Sequence, residues 1–347
     1  MWQFEWIFAA VLSTLFIYII MKYAEKLKFV DIPNERSSHK KPTPKGAGVG
    51  FSLAALITIY LCDYQVFIDN YLLFIAIFIV LITGILDDVY NYSPRFKFLT
   101  LLLAVGLMYV DGCTITTLGT YFDYDLSLYW LLVFPFTYFA VAGFTNALNL
   151  IDGIDGLAGG VSIIILLTLF TIGEVFNDSF IVVVSGSFIF ALVAFMLFNW
   201  YPAKIFMGDS GSLTLGFIIA VLSIKSLAYI NPTVILLIAA IPLLDTFSVI
   251  RRRRQRSLPI FKADKNHLHH ILMGQNQNVP HTAQIIIMLQ FAFAIIGYRS
   301  IGKDDTWNII LFIVLFQIFF LLFDPRLKKR KKHKNKKNKL NITKETK

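Results

Sequence analysis

Long apolar stretches alternate with short polar segments along almost the whole chain. A helix needs about 20 apolar residues to cross the hydrocarbon core of a bilayer. Because backbone polar groups in lipid are satisfied within a helix, stretches of this kind predict spanning helices rather than strands. Eleven such windows are present: 4–21, 47–62, 70–86, 97–111, 127–145, 157–173, 179–198, 211–229, 232–250, 284–298 and 306–323.

The basic residues are divided unevenly among the segments that join these windows. Of the 32 Lys and Arg residues, 29 fall on one side of the predicted membrane, in or at the edge of alternate segments, and the other side holds only Lys225, Arg299 and Lys303. Cytoplasmic loops of membrane proteins are enriched in Lys and Arg. The pattern therefore predicts an amino terminus outside the cell and a carboxyl terminus in the cytoplasm.

Composition supports the fold class that the windows predict, an all-α polytopic membrane protein of about 11 transmembrane helices. Hydrophobic residues make up 56% of the 347 positions and charged residues only 16%, which excludes an ordinary water-soluble domain.

Residues 1–323 are predicted to form a single transmembrane domain, and 324–347 a disordered cytoplasmic tail. The Lys-rich tail favours anionic membrane lipid over nucleic acid as a partner. Cys62 and Cys113 lack metal-ligand spacing and are expected to be free thiols.

A pair of adjacent acids, Asp87 and Asp88, follows the third window in the sequence LDDVYNYSPRFK. Carboxylates this close repel, which favours a nearby cation or protonation of one of them. The alternative is ordinary polarity at a helix end. Lys97 begins the next window at the same membrane face, where an ammonium group can meet a phosphate.

The most informative motif is NALNLIDGIDGLAGG, in which Asn146, Asn149, Asp152 and Asp155 recur every three residues. On a tight helical turn this spacing places all four on one face, and the intervening glycines permit close backbone approach. Two amides and two carboxylates suit a divalent ion together with a ribose or phosphate. The alternative is a loop in which Asn and Asp serve only as turn residues.

Two further acids lie near the same face. Asp209 opens the eighth window beside Ser210 and Gly211, either as a helix cap or as a ligand that holds magnesium against diphosphate oxygens. Asp245 lies inside the ninth window, where an unpaired charge is costly. A structural ion pair with one of Arg251–Arg254 is therefore expected.

Three histidines, His267, His269 and His270, follow in the sequence ADKNHLHH within a basic cytoplasmic segment. Histidines can bind zinc. Because no cysteine accompanies them and Arg and Lys surround them, contact with phosphate is favoured over a zinc site.

These motifs together resemble those of the polyprenyl-phosphate N-acetylhexosamine-1-phosphate transferases. That family includes the enzymes that initiate O-antigen, enterobacterial common antigen and teichoic acid synthesis, and the phospho-MurNAc-pentapeptide translocase. The resemblance covers most of the chain and takes in DIPNERSSH, PTPKG, LDDVYNYSPRFK, NALNLIDGIDGLAGG, FMGDSGSLTLGF and ADKNHLHH. The amino-terminal sequence and the eleven windows are closer to the O-antigen branch than to the translocase.

The resemblance implies roles for individual residues. It implies that Asp87 and Asp88 bind or deprotonate the lipid phosphate and, with Asp209, form the catalytic set. It implies that Asn149 and Asp209 hold magnesium, with manganese as the other cation considered. Leu101 departs from the family pattern, since a glutamine is common there, which bears on local lipid contacts. Substrate contacts are expected at Lys97, Asn146, Asp152, Asp155, His267, His269 and His270.

The implied reaction transfers N-acetylhexosamine-1-phosphate from a UDP-sugar to undecaprenyl phosphate and releases UMP, at the cytoplasmic face of the bacterial inner membrane. Phosphoryl transfer needs mainly positioning and charge neutralisation, which magnesium, Lys97 and the histidine segment would supply. GlcNAc and deoxy-sugars such as FucNAc or QuiNAc derivatives are all compatible, as is a homodimer.

Other functions are considered beside this one. A secondary transporter would place its carboxylates near the midplane on broken helices. An intramembrane prenyltransferase would carry a motif of the DDxxD kind, which DDVYN is not. A lipid-binding scaffold would not need four stacked amides and acids. Within the family, a phospho-MurNAc-pentapeptide transferase is the alternative.

Overall fold

The computed structural model describes residues 3–33, 41–259, 267–275 and 277–324, and within these ranges the chain is mostly helical. Of the predicted tail, all but Asp324 lies outside the described residues, as do the residues just before His267. The helices are α1 (Gln3–Tyr23), α2 (Ala47–Cys62), α3 (Tyr64–Asp69), α4 (Tyr71–Tyr90), α5 (Pro94–Val110), α6 (Trp130–Ile151), α7 (Leu157–Phe176), α8 (Ser179–Asn199), α9 (Asp209–Ser226), α10 (Pro232–Ile238), α11 (Ala240–Arg254), α12 (Leu268–Met273), α13 (Val279–Arg299) and α14 (Asp305–Leu322).

Every predicted apolar window falls on a helix, with limits that differ by several residues in places. Within the described ranges, eight helices are long and apolar enough to cross a membrane: α1, α4, α6, α7, α8, α9, α13 and α14. A ninth is added when α10 and α11 are counted as one bent span, and α2 is a shorter apolar helix. The chain is therefore a polytopic, mostly helical membrane protein. Both cysteines are free, as expected.

The prediction of one continuous helix for the ninth window is wrong, because α10 and α11 meet at an angle of 86°. Pro242 has no backbone N–H, so the carbonyl of Ile238 loses its helical partner. The side chain of Gln290 in α13 satisfies the break: Nε2 donates to Ile238 O at 2.6 Å, and Oε1 accepts from Ile241 N at 3.1 Å. One amide thus replaces the missing helical hydrogen bonds.

The prediction of a wholly helical chain also misses two short antiparallel hairpins. The first pairs β1 (Val30–Asp31) with β2 (Thr43–Pro44), and the second pairs β3 (Thr117–Tyr121) with β4 (Tyr124–Ser127). Strands this short carry too few residues for an alternating pattern to be read from sequence.

Helix α9 lies at the centre of the bundle, packed against α2, α4, α6 and α7, with nearly all of its residues buried. Two glycines permit the close approach at its first turn. A Cβ atom at Gly48 of α2 would lie 2.0 Å from the backbone nitrogen of Gly211, and one at Gly84 of α4 would lie 2.4 Å from the Cα atom of Ser210. Larger residues at either glycine would push α9 away.

The end of the bundle where α9 finishes carries its own polar contacts. Lys225 in the last turn of α9 pairs with Asp111 at 3.3 Å, and its ammonium donates to the side-chain oxygen of Asn70 at 3.4 Å. At the same end, the buried carboxylate of Asp305 accepts the backbone N–H of Thr120 at 2.9 Å and so holds the β3–β4 hairpin against α14. The first turn of α9 consequently lies at the opposite end.

Candidate active site

The first turn of α9 meets α4 and α5 through one lysine. Lys97, one turn into α5, places its ammonium 2.7 Å from Asp87 Oδ2 and 3.2 Å from Asp209 Oδ2. Its positive charge therefore holds two carboxylates from distant parts of the sequence in one cluster. The other oxygen of Asp87, Oδ1, is buried and has no hydrogen-bond partner among the described residues. An orphaned carboxylate oxygen of this kind is costly unless a ligand or cation meets it.

Asn149, in the last turn of α6, joins the same cluster. Its side-chain Nδ2 donates to Asp209 Oδ1 and to Ser212 Oγ, the second at 2.9 Å. These two bonds fix the orientation of the amide and leave its oxygen as the remaining acceptor. Helices α4, α5, α6 and α9 thus each contribute one polar side chain to a single point.

Asp88 has a different environment from its neighbour in sequence. Its Oδ1 accepts the backbone N–H of Asp209 at 3.0 Å, and its Oδ2 accepts that of Ser210 at 2.9 Å. A carboxylate placed there satisfies N–H groups that a helix start leaves unpaired and interacts favourably with the helix dipole. Gly208 makes room for it: its φ is +76°, and a Cβ atom there would lie 2.6 Å from Asp88 Oδ2.

A cavity of about 340 Å³ opens beside this cluster. Asp88, Asn149, Asp152, Asp155 and Asp209 all line it, so the structure brings together five of the predicted site residues. The rest of the lining is Asp31, Lys45, Gly153, Ile154, Asn199, Phe206, Met207, Gly208 and Ser212.

The two aspartates that follow α6 are held differently. Asp155 Oδ2 accepts the backbone N–H of Ala203 at 2.9 Å, which ties the loop after α6 to the loop after α8. Burial, followed by the negative charges of Asp209, Asp88 and Asp155, raises the pKa of Asp152 to about 7. In the lining that the structure describes, five aspartates and one lysine give the cavity an excess of negative charge.

The predicted stripe of four polar residues is only partly formed. Helix α6 ends at Ile151, so Asp152 and Asp155 lie in the turns that follow it rather than on a continuous helix. Asn149, Asp152 and Asp155 nevertheless face one cavity. Asn146 is exposed on α6 and does not line that cavity, and its role in substrate binding stays a prediction.

The expected partner of Asp245, one of Arg251–Arg254, is wrong. Asp245 Oδ2 lies 2.8 Å from His267 Nδ1, and Oδ1 accepts the backbone N–H of Leu268 at 2.8 Å. Two of the arginines turn toward α14 instead. Arg251 donates to the Gln317 side chain at 2.7 Å, and Arg252 donates to the Phe323 carbonyl.

The histidine segment packs against the loop after α6. A Cβ atom on Gly153 would lie 2.5 Å from His269 Nε2, and the rings of His267 and His269 are nearly parallel, with centroids 6.0 Å apart. Burial, followed by the charge of His270, lowers the pKa of His269 to about 3, so its imidazole is neutral near pH 7. His269 thus lies against Gly153 of the cavity lining, whereas none of the three histidines is in the described lining itself, and their contact with substrate stays a prediction.

The donor set fits magnesium. Asp209 and Asn149 supply a carboxylate and an amide at the cavity wall, and the orphaned Asp87 Oδ1 adds a second carboxylate nearby. Among the described residues no three His, Cys, Asp or Glu side chains form a group that could hold a metal. Magnesium is usually held by one or two carboxylates together with substrate phosphates and water, so a sparse oxygen set is the expected arrangement.

Sequence reasoning missed two residues that shape the cavity. Lys45 lines it from the β1–β2 hairpin. Asn199, at the end of α8, accepts the Gly156 N–H at 3.0 Å and donates to Ile205 O at 2.9 Å, which joins the two loops beside the cavity. The PTPKG segment belongs to the family-like motifs, so its lysine could have been singled out; a lone Asn at a helix end carries no comparable signal.

Comparison with known proteins gives a consistent result. The glycosyl transferase family 4 model matches residues 70–227. The chain is 33% identical over 313 residues to a probable undecaprenyl-phosphate N-acetylglucosaminyl 1-phosphate transferase of Bacillus subtilis (strain 168), covering 87% of this chain and 85% of that protein.

Two further relatives are named undecaprenyl-phosphate alpha-N-acetylglucosaminyl 1-phosphate transferase. The protein of Yersinia pestis is 29% identical over 344 residues, 94% of this chain and 91% of the relative. That of Escherichia coli (strain K12) is 29% identical over 336 residues, 91% of this chain and 88% of the relative. With this coverage and the cluster around Asp209, the chain belongs to glycosyl transferase family 4, the polyprenyl-phosphate hexosamine-1-phosphate transferases.

Proposed function

We propose that the protein transfers N-acetylhexosamine-1-phosphate from a UDP-sugar to undecaprenyl phosphate, giving the polyprenyl-diphosphate-sugar and UMP. The observation that carries the proposal is the cluster of Asp87, Lys97, Asn149 and Asp209, which opens onto a cavity at one end of the bundle. A site at the end of the helices suits one water-soluble and one lipid-anchored substrate. The names of the relatives support the same acceptor.

The site is proposed to face the cytoplasm of a bacterial inner membrane. The basic loops predicted to be cytoplasmic flank the motifs that form the site, whereas Lys225 lies at the opposite end of α9 with Asp111 and Asn70. Eleven spans with the amino terminus outside are consistent with this polarity, with α2 and α5 as short spans and α10–α11 as a bent one.

The proposed reaction is an in-line displacement at phosphorus. An oxygen of the lipid phosphate attacks the sugar-bound phosphorus of the donor. The bond from that phosphorus to the bridging oxygen breaks, and UMP leaves with the electron pair. The second ionisation of a phosphate monoester lies near pH 6, so the attacking oxygen is largely ionised at pH 7 and needs no strong base. Asp88, whose oxygens both accept backbone N–H groups, orients the start of α9.

Magnesium, or manganese, would be held by Asp209 and Asn149 and would neutralise the diphosphate charge. The Lys97 ammonium keeps Asp87 and Asp209 close together, although their charges repel. The histidine segment lies against Gly153 at the edge of the site, with Asp245 holding His267 in place. Positioning and charge compensation of this kind account for most of the rate enhancement in phosphoryl transfer.

N-acetylglucosamine is the sugar proposed first, because it appears in the names of the relatives. The product would begin a cell-envelope glycan such as O-antigen. FucNAc or QuiNAc derivatives are the other sugars proposed, and a MurNAc-pentapeptide donor is the second candidate. Anionic lipid, bound by the basic cytoplasmic segments, and a second copy of the chain are proposed as further partners.

Purified protein with undecaprenyl phosphate and a panel of UDP-sugars tests the proposal. We expect UMP release with UDP-GlcNAc or another UDP-N-acetylhexosamine, dependent on the lipid phosphate and lost on chelation of magnesium. Turnover of UDP-MurNAc-pentapeptide alone would select the second candidate. No UMP release with any donor would contradict the proposed function.

A further inference from the structure

We propose that Lys45 binds the phosphate groups of the nucleotide-sugar donor inside the cavity. The inference rests on the proposed function and adds a phosphate-binding residue from the amino-terminal part of the chain, outside the motifs at Asp87, Asn149, Asp209 and His267. It follows from the fixed position of the Lys45 backbone, from the negative charge of the cavity and from the ion pairs that already engage Lys97.

The backbone around Lys45 is fixed against the cavity wall. The Lys45 N–H donates to Phe29 O at 2.9 Å, and the carbonyl of the preceding Pro44 accepts the N–H of Phe206 at 2.9 Å. Gly46, which follows, has a φ of +87°, and a Cβ atom there would lie 3.1 Å from the Phe29 ring. The β1–β2 hairpin is thus joined to the segment that leads into α9, and Lys45 is presented from a defined position.

The charge of the cavity requires a cation at this place. Five aspartates line the cavity, and Lys45 is the single Lys or Arg in its lining as far as the structure describes the chain. A nucleoside diphosphate carries negative charge of its own and would be repelled by this wall. A divalent ion at Asp209 and Asn149 compensates part of the charge, and an ammonium group on the wall compensates more.

The other lysine near the site is already engaged. Lys97 lies 2.7 Å from Asp87 and 3.2 Å from Asp209, so its charge is used to hold the two carboxylates together. Lys45, in contrast, lies 3.9 Å from Asp88 Oδ1, an oxygen that already accepts the N–H of Asp209. At 3.9 Å the two atoms are too far apart for a hydrogen bond, so only charge attraction holds the pair together. The Lys45 ammonium can therefore turn from Asp88 to a phosphate in the cavity without breaking a hydrogen bond to Asp88.

The test compares three variants of the purified full-length protein in magnesium: Lys45→Gln, Lys45→Arg and, as a matched control, Lys41→Gln at an exposed lysine just before the same hairpin strand. Affinities for UDP-GlcNAc, UMP and uridine are measured by direct binding or competition. Lys45→Gln is expected to weaken binding of UDP-GlcNAc and UMP by about 10- to 100-fold, the cost of a hydrogen bond between charged groups. Uridine affinity and the melting temperature are expected to stay at wild-type values. Lys45→Arg should retain most of the affinity, and Lys41→Gln all of it.

Three outcomes overturn the inference. If Lys45→Gln binds UDP-GlcNAc as tightly as the wild type, Lys45 does not contact the donor phosphates. If the variant loses uridine affinity by the same factor, Lys45 shapes the cavity rather than binding phosphate. If the wild type binds none of the UDP compounds, the proposed donor is wrong and the inference is wrong with it. If the wild type binds them and the Lys45→Gln variant binds them equally well, only the inference is wrong.

Discussion

The carboxylate of Asp88 accepts the backbone N–H of Asp209 at 3.0 Å, which joins the end of α4 to the start of α9. The side chain of Asp209 is in turn held by Lys97 and Asn149. Adjacent acids in the sequence therefore have separate tasks: Asp87 belongs to the charged cluster, whereas Asp88 fixes the backbone from which Asp209 projects.

The first prediction concerns Asp88→Asn. An asparagine side chain has one oxygen acceptor, whereas two backbone N–H groups each need an acceptor here. Its NH2 group would therefore point at one of these N–H donors. We expect a loss of stability of about 1–3 kcal/mol. Because a small displacement of Asp209 misaligns the reacting groups, we also expect UMP release to fall on the order of 100-fold. Thermal unfolding in detergent and the UMP assay measure both. A variant with wild-type stability and an altered pH–rate profile would instead identify Asp88 as a proton acceptor.

A second prediction uses two glycines with different surroundings. Gly208→Ala would place a Cβ atom 2.6 Å from Asp88 Oδ2 at a φ of +76°. We expect a loss of stability of about 1–2 kcal/mol or more from this strain, and lower UMP release because the start of α9 is displaced. Gly106 of α5 has open space within 4 Å of an added Cβ atom, so Gly106→Ala is the matched control and should keep its stability. Equal losses in both variants would argue against a special role for Gly208.

A third prediction follows from the pKa of Asp152, which is raised to about 7. A carboxyl group with a raised pKa stabilises the fold below the pKa of the unfolded chain and loses that contribution as the pH rises toward 7. In chelator, Asp152→Asn should therefore melt a few degrees above the wild type at pH 8, with the difference shrinking toward pH 5. Added magnesium should stabilise the wild type more than the variant at pH 8, because a bound cation favours the ionised carboxylate. A difference that does not change with pH would contradict the assignment.

A fourth prediction concerns the bend between α10 and α11. Gln290→Leu removes both hydrogen bonds that the side chain makes to Ile238 and Ile241, and each unsatisfied backbone group costs about 1–3 kcal/mol. We expect a clearly lower melting temperature in detergent. Gln284→Leu, at an exposed position of the same helix, should melt with the wild type. If the two variants melt together, the bend is stabilised by packing and not by Gln290.

The sequence predicted the helices well because apolar length is a direct requirement of the bilayer. It also predicted that Asp88, Asn149, Asp152, Asp155 and Asp209 would lie close together, because the motifs that contain them fall on the same side of the membrane as the basic loops. The partner of Asp245 was missed because His267 lies 22 residues away in sequence. The arginines are closer in sequence, but Arg251 and Arg252 point to α14. The bend at Ile238 depends on a side chain from α13, and a window of hydropathy contains no information about such contacts.

The glycines that let α2 and α4 touch the first turn of α9 leave that turn no room to shift. A change in the shape of the cavity is therefore easiest in the parts of its lining that lie outside the helices, namely the β1–β2 hairpin with Lys45 and the segments 152–155 and 206–208. We expect chains that use other sugars to keep the same reaction centre and to differ in these segments. Attempts to redirect this protein toward a new donor would best begin there.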